Sequence, residues 1–381
     1  MGRNRRTNNY INIINLIDRN MKKNLLFAAL VGVALTSCVS DDSNPITENN
    51  QVLSFGKPVY NTQSRAVPGE IYAEYTYSTA ENFQVYCRRY KGNFTEWLQT
   101  GSVDFFHSTS AQSETKALEV KHDGTAWAPE ANYYWPGESY NLAFAAYSPA
   151  DAKGTFAYGS TGLTITGFET EETSNEQYDL LYSDRTVDCS NATHGKVGKP
   201  VVITFKHALS SIVFAASENV EGRAYKIDGI SLKGKFVTKG DFAQNYDEET
   251  KTDAPEWTTV PNDGSVVTYT PVLPEGGVAV AGTSTEFTRG PLALLLLPQT
   301  VDSDAIVELK YTVIPDVGVT TSYTIDIPLA SFKTTSDVSI ENWQRNGRYV
   351  YLINFGGSKK ISFTPEVESW ETTVQASYTV Q

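Results

Sequence analysis

Any chemistry in this 381-residue chain would have to come from four histidines, three cysteines and a few acidic clusters. His107, His122, His194 and His207 stand far apart, without the spacing that places imidazoles around a metal ion. His207 follows a strand-like pattern and suits a satisfied structural role. Glu171-Glu172 and Asp302-Ser303-Asp304 carry the hard oxygens that calcium prefers, yet neither sits in an EF-hand spacing with its turn glycine. Solvated acidic loops are the plainer reading. The chain has no Gly-x-Ser-x-Gly elbow, His-Glu-x-x-His, phosphate-cradling glycine loop or Cys-x-x-Cys. No catalytic residue, cofactor site or metal site can be nominated, so the expectation is a protein that is not an enzyme. Cys87 and Cys189 could pair in an oxidising compartment, but the sequence does not bring their Cα atoms within the ~7 Å a disulfide spans. Cys87 also alternates with Phe83 and Val85, as a buried apolar residue would.

The third cysteine, Cys38, has a clearer context. Lys22 and Lys23 precede an apolar run from Leu25 to Leu35, too short for the roughly 20 residues that cross a bilayer. The run ends in Leu35-Thr36-Ser37-Cys38, which resembles the lipobox of bacterial lipoproteins. That resemblance implies a signal peptide over residues 1–37, cleavage before Cys38 and acylation of its sulfur. Translation starting at Met21 would serve equally, because residues 1–20 have no apolar core of their own. Residues 38–50 then read as a lipidated tether, polar and without periodicity. Its Val39-Ser40-Asp41-Asp42 resembles the surface-export signal of lipoproteins in anaerobic Gram-negative bacteria. The expected location is the cell outer membrane, lipid-anchored and surface exposed, with the mature form in an assembled fibre.

Composition says what must hold such residues in place. Hydrophobic residues make up 40% and charged residues 20%, the balance of a chain with a real core. Twenty-two tyrosines against two methionines favour strands over helices. The net charge is −13, and removing residues 1–37, with six basic residues and one Asp, leaves 25 basic and 43 acidic residues, net −18. Such a chain offers no phosphate-binding footprint, so no nucleic-acid partner is expected. From Val52 onward most segments alternate with period two between Gly, Pro, Asn and Asp. Ile71–Tyr77, Phe83–Cys87, Val201–Phe205, Val307–Val313 and Tyr323–Leu329 are the plainest cases. Asp123-Gly124 supplies a hairpin turn. No helical apolar stripe is apparent beyond the signal. Ser183–Lys199 is the most polar central stretch and suggests a domain boundary near residue 190.

A family resemblance lies in landmarks spread along these strands. Tyr133-Tyr134-Trp135-Pro136, Leu142–Pro149, Gln177–Leu181, Phe205–Ser210, Leu296-Leu297-Pro298-Gln299, Trp343 with Gly347, Tyr349 and Tyr351, Ile361-Ser362-Phe363 and Val367–Trp370 occur in this order. Together they resemble the fimbrillin-like proteins, in particular their Mfa-like branch. The resemblance implies an all-β fold of two tandem transthyretin-like Greek-key β-sandwich domains behind the lipoprotein signal, over residues 51–190 and 191–370. It also implies a subunit, or a tip or anchor adhesin, of a type V pilus.

In that family an extracellular trypsin-like protease removes the first strand after a basic residue, and a strand from another subunit fills the groove. Here the resemblance points to cleavage between Arg65 and Ala66. Arg65 is the only basic residue between Lys57 and Arg88, and Lys57 precedes Pro58. The donor expected is the C-terminal strand, residues 371–381, with Val374, Ala376, Tyr378 and Val380 on one face. The same segment also reads as the last strand of its own second domain. Expected partners are other pilus subunits by strand addition, outer-membrane lipid through Cys38, and the protease, with a host protein or glycan as receptor left open. A non-catalytic carbohydrate-binding surface lipoprotein is the alternative, and it would need exposed aromatic platforms.

Overall fold

The computed structural model describes residues 51–60, 77–107, 116–247, 249–250, 252–288, 290–334, 336–356 and 372–380. Strand formation follows the alternation read above. Val201, Ile203 and Phe205 are buried while Val202 is exposed, and Val307, Leu309 and Tyr311 point into a core. The Asp123-Gly124 turn forms between Leu118–His122 and Trp127–Pro129. Gly124 takes φ +103°, and Asp123 Oδ1 accepts from the Thr125 and Ala126 amides, both at 2.8 Å. Those bonds hold the exposed Asp123 carboxyl down to about 2.

The chain is all-β and builds two β-sandwich units in succession. The first has a sheet in the order Val59–Tyr60, Thr204–His207, Leu181–Ser183, Tyr140–Ser148, Phe83–Lys91, Leu118–His122 and Trp127–Pro129. Thr186–Ser190 also pairs with Tyr140–Ser148. This sheet is buried on both faces. One face, with Phe83, Val85, Phe144, Val201 and Phe205, encloses an aromatic core; the other, with Tyr86, Tyr90, Ala143 and Ala145, packs on a second sheet. Two-sided burial explains why Leu142 to Ala146 is a continuous apolar run rather than an alternating one. The second sheet runs Glu256–Thr259, Lys239–Ala243, Gly162–Glu169, Thr155–Gly159.

The second unit packs a sheet containing Ser210–Glu218, Gly347–Phe355 and Thr372–Val380 against one of Val267–Tyr269, Arg223–Gly234, Ile306–Pro315 and Thr321–Pro328. Its core centres on Phe214, Leu232, Phe236, Tyr269, Trp343 and Tyr351.

The polar stretch 183–199 lies within the span of the first unit's main sheet. Thr186–Ser190 and Thr204–His207 belong to one sheet, and between them Asn191–Gly195 forms a π-helical turn capped by Ser190. The strands leave the first sheet after His207, and Lys239–Ala243 then returns to pair with Gly162–Glu169, with Glu256–Thr259 on its other side. Polarity in the 183–199 stretch marks an exposed end of the main sheet. A helix also occurs, at Phe94–Thr100. Asn93 caps it by accepting from the Glu96 amide (3.1 Å), and Phe94 and Trp97 fold onto Tyr90. Two turns are too short to leave a periodic stripe.

Candidate functional site

The first strand, residues 51–60, carries the arrangement with functional content. Leu53 and Phe55 are 2% and 4% exposed, and Pro58 is buried, while Ser54, Lys57 and Val59 face out. Phe55 meets Phe83 and Phe144 edge-on, with ring centroids 6.2 and 6.0 Å away. Burying such a side chain stabilises by about 1.5–3 kcal/mol, so this strand is a plug in the first core.

Backbone hydrogen bonds hold it on both sides. On one side the Leu53 amide donates to Tyr133 O (2.7 Å) and Trp135 donates to Gln51 O (3.0 Å), with antiparallel bridges to Tyr134 and Trp127. On the other it runs parallel to the 201–205 edge: Gly56 donates to Val201 O (2.9 Å), Val201 to Ser54 O (2.8 Å) and Val59 to Ile203 O (3.0 Å). Taking the strand away would leave a slot with unpaired backbone on both walls and an apolar floor. Trp127 and the 133–135 wall were not foreseen as part of this site. The apolar Ala126-Trp127-Ala128 beside a turn was the available signal.

Cys38, Arg65 and Ala66 lie outside the described residues. The C-terminal strand Thr372–Val380 lies parallel to Gly347–Phe355 through nine residue pairs, at the edge of its own second-unit sheet. Ser377 exchanges two backbone hydrogen bonds with Lys333 (3.0 and 3.1 Å), and the half-buried Tyr378 ring lies 5.8 Å from Phe332. Of Val374, Ala376 and Val380 only the backbone is described.

The other candidate groups do not converge. His207 is buried with Nδ1 2.9 Å from Asp179; His194 stacks on Trp135; His122 Nδ1 accepts from the Gly124 amide; His107 lies 3.5 Å from Asp104. Among the described residues no group of three His, Cys, Asp or Glu is placed to hold a metal ion. Glu171 pairs with Lys153, and Asp302 caps turns by accepting from the Lys235 and Asp304 amides. Cys87 and Cys189 are free thiols. Cys87 pairs with Phe144 and Cys189 with Leu142, on opposite sides of the strand Tyr140–Ser148, which puts two strand spacings of about 4.8 Å between them. That distance exceeds disulfide reach. Burial pushes the Cys189 thiol up to about 12 and that of Cys87 well above its ordinary range, so neither is a nucleophile. Trp135 and Trp343 are buried and make no sugar platform.

A family described as fimbrillin-like matches residues 61–370. Among solved structures, the chain is similar to a fimbrial protein from Bacteroides vulgatus, with 16% identity, 84% of this chain and 100% of that one covered, and a TM-score of 0.53. Weaker likenesses are to proteins named for cell adhesion from Bacteroides uniformis (12% identity, 81% and 94% covered, TM-score 0.43) and Bacteroides ovatus (15%, 80% and 91%, 0.41). No curated protein matches. The likeness to the Bacteroides vulgatus structure supports the sandwich fold.

Proposed function

The chain belongs to the fimbrillin-like family, and from that premise we propose that it is a surface-exposed pilus subunit, stalk, tip or anchor, assembled by strand exchange. The observation that carries this reading is the first strand: a short segment whose side chains complete the core and whose backbone is hydrogen-bonded on both sides. It is attached to the rest of the chain through a segment that includes Arg65-Ala66. Cleavage there frees the strand, and its loss opens the slot between residues 133–135 and 201–205. The slot takes an extended peptide by backbone pairing, with alternate side chains filling the pockets of Leu53 and Phe55. We assign the donor role to residues 372–380 of a neighbouring subunit, which must first leave the edge of Gly347–Phe355. Cys38 supplies the lipid anchor that holds the precursor at the outer membrane until cleavage, and any receptor is a host protein or glycan.

The test is to expose the secreted chain to a trypsin-like protease and examine it by negative-stain microscopy. Wild type should form filaments whose subunits begin at Ala66, and Arg65→Ala should stay folded and form no filaments. Filaments whose subunits begin upstream of Arg65 would remove leader cleavage from the mechanism.

A further inference from the structure

Strand exchange links neighbouring subunits through one extended segment, and two other surfaces stand out as unused by it. In the first unit, Lys91 pairs with Tyr140 and Ser190 with Asn141 at one end of the sheet, while Ser148 and His207 meet Leu181 at the other, where the chain crosses to the second unit. The loop 195–200, which follows Ser190, therefore sits at the end away from the crossing. It presents Val197, 66% exposed, between the exposed Lys196 and Lys199, with Lys91 exposed at the same end. The acids at this end are Glu138, which pairs with Lys196, and the exposed Glu96 and Asp188; with Arg89 over the Tyr140 ring the bases exceed them by one.

In the second unit Ser211 pairs with Arg348 beside the crossing, and Glu218 with Phe355 at the far end. The turn joining Ile306–Pro315 to Thr321–Pro328 lies at that far end, where the Asp316 amide donates to Gly222 O (3.0 Å). Gly318 at φ +129° lets this turn project Val317 and Val319, which are 93% and 84% exposed. Glu221 and Asp316 flank them, with Arg223 as the one exposed base beside them. Paired valines this exposed at a hairpin tip contribute nothing to their own core, and solvent contact costs about 0.8 kcal/mol per CH₂ left unburied.

We propose that the 316–320 turn of one copy of this chain docks on the 195–200 loop of the next. The contact is head to tail, with valines at its centre and complementary charge at its rim: Glu221 and Asp316 on one side, Lys91, Lys196 and Lys199 on the other. A contact between two different patches propagates into a filament rather than closing a dimer. Opposite rim charges set orientation and register. The proposal rests on the pilus-subunit reading for its purpose, because it would align the donor strand with the next subunit's slot before exchange. The docking itself requires no cleavage.

The experiment uses the chain from Val39 onward without protease treatment, so that strand exchange plays no part, followed by sedimentation equilibrium at 20 and 500 mM NaCl. Weak self-association that fades at high salt is expected, since exposed charges are screened within about 10 Å at 0.1 M salt. Val317→Asp with Val319→Asp should weaken it at least about tenfold, as loss of a small apolar centre does. Lys196→Glu with Lys199→Glu should weaken it similarly, and adding Glu221→Lys and Asp316→Lys to that chain should restore it. A chain that stays monomeric at low salt, or one whose association ignores these substitutions, overturns the docking. Filaments formed by the protease-treated chain in that case would leave strand exchange standing. Salt-sensitive docking without filaments after cleavage would instead remove strand exchange.

Discussion

Phe55 shows how one side chain can matter in one form of a protein and be irrelevant in another. It fills a pocket between Phe83 and Phe144 from a strand that, on the proposed mechanism, is later discarded. Phe55→Ala should cost the uncleaved chain about 3–5 kcal/mol of stability, as large-to-small aromatic substitutions in cores do. Thermal melts of cleaved, assembled protein made from the same variant should match wild type. Buried acidic protons give a second residue-scale outcome. Burial holds Cys189, Tyr147 and Tyr269 up to about 12 in the folded chain, above the ~8.5 of a free thiol and ~10 of a free tyrosine. A raised folded value means that the stability these groups contribute is complete below the unfolded value and is lost as pH rises past it. The melting temperature should therefore show no loss from these groups up to about pH 8 and should fall between about pH 8 and 12. Ellman's reagent at pH 8 should label Cys87 and Cys189 only after denaturation.

At the scale of elements, the two terminal strands are in contrasting states. The first is paired on both sides within the first unit, whereas Thr372–Val380 is an edge strand, parallel to Gly347–Phe355 and joined on its other side mainly through Lys333 and Ser377. A parallel edge strand cannot be closed by a tight turn, and among the described residues its outer side is paired at Ser377 alone, so it is the easier of the two to exchange. Deleting residues 372–381 should abolish filaments while leaving a folded, cooperatively melting monomer. A truncated chain that polymerises like wild type would deny this strand the donor role, and one that no longer folds would make it part of its own unit's core.

Across the whole molecule the two units are interleaved rather than strung together. Lys239–Ala243 and Glu256–Thr259 follow strands of the second unit in sequence but join a sheet of the first, Lys239–Ala243 pairing with Gly162–Glu169 on one side and Glu256–Thr259 on the other. Trp257 Nε1 donates to Ala208 O (2.7 Å) at the crossing, and Leu297 is buried in the first unit's core. A fragment of residues 191–381 would expose Phe242 and Trp257 and leave Lys239–Ala243 without its partner Gly162–Glu169. It should melt without a cooperative transition in circular dichroism, although it contains one whole sandwich core. An independently folding fragment would show that the returning strands add stability without being required.

Alternation along Val201–Phe205 and Val307–Tyr311, and the Asp123-Gly124 turn, were legible in the sequence because each depends on residues within a few positions of one another. Period two reveals that a strand has an inner face, and glycine after aspartate reveals where a chain can reverse. The landmarks from Tyr133 to Trp370 carried the family for the same reason, each being a local motif. Local pattern carries no information about which strand lies alongside. Only the tertiary structure decided that Leu142–Ala146 is covered on both faces, that the first strand closes a gap between residues 133–135 and 201–205, and that Cys87 and Cys189 are held apart by an intervening strand. It alone returned Lys239–Thr259 to the first unit and laid Thr372–Val380 along Gly347–Phe355. Pairing between distant segments is settled by the burial of whole sheets against one another, a free energy summed over the molecule that no window of sequence contains.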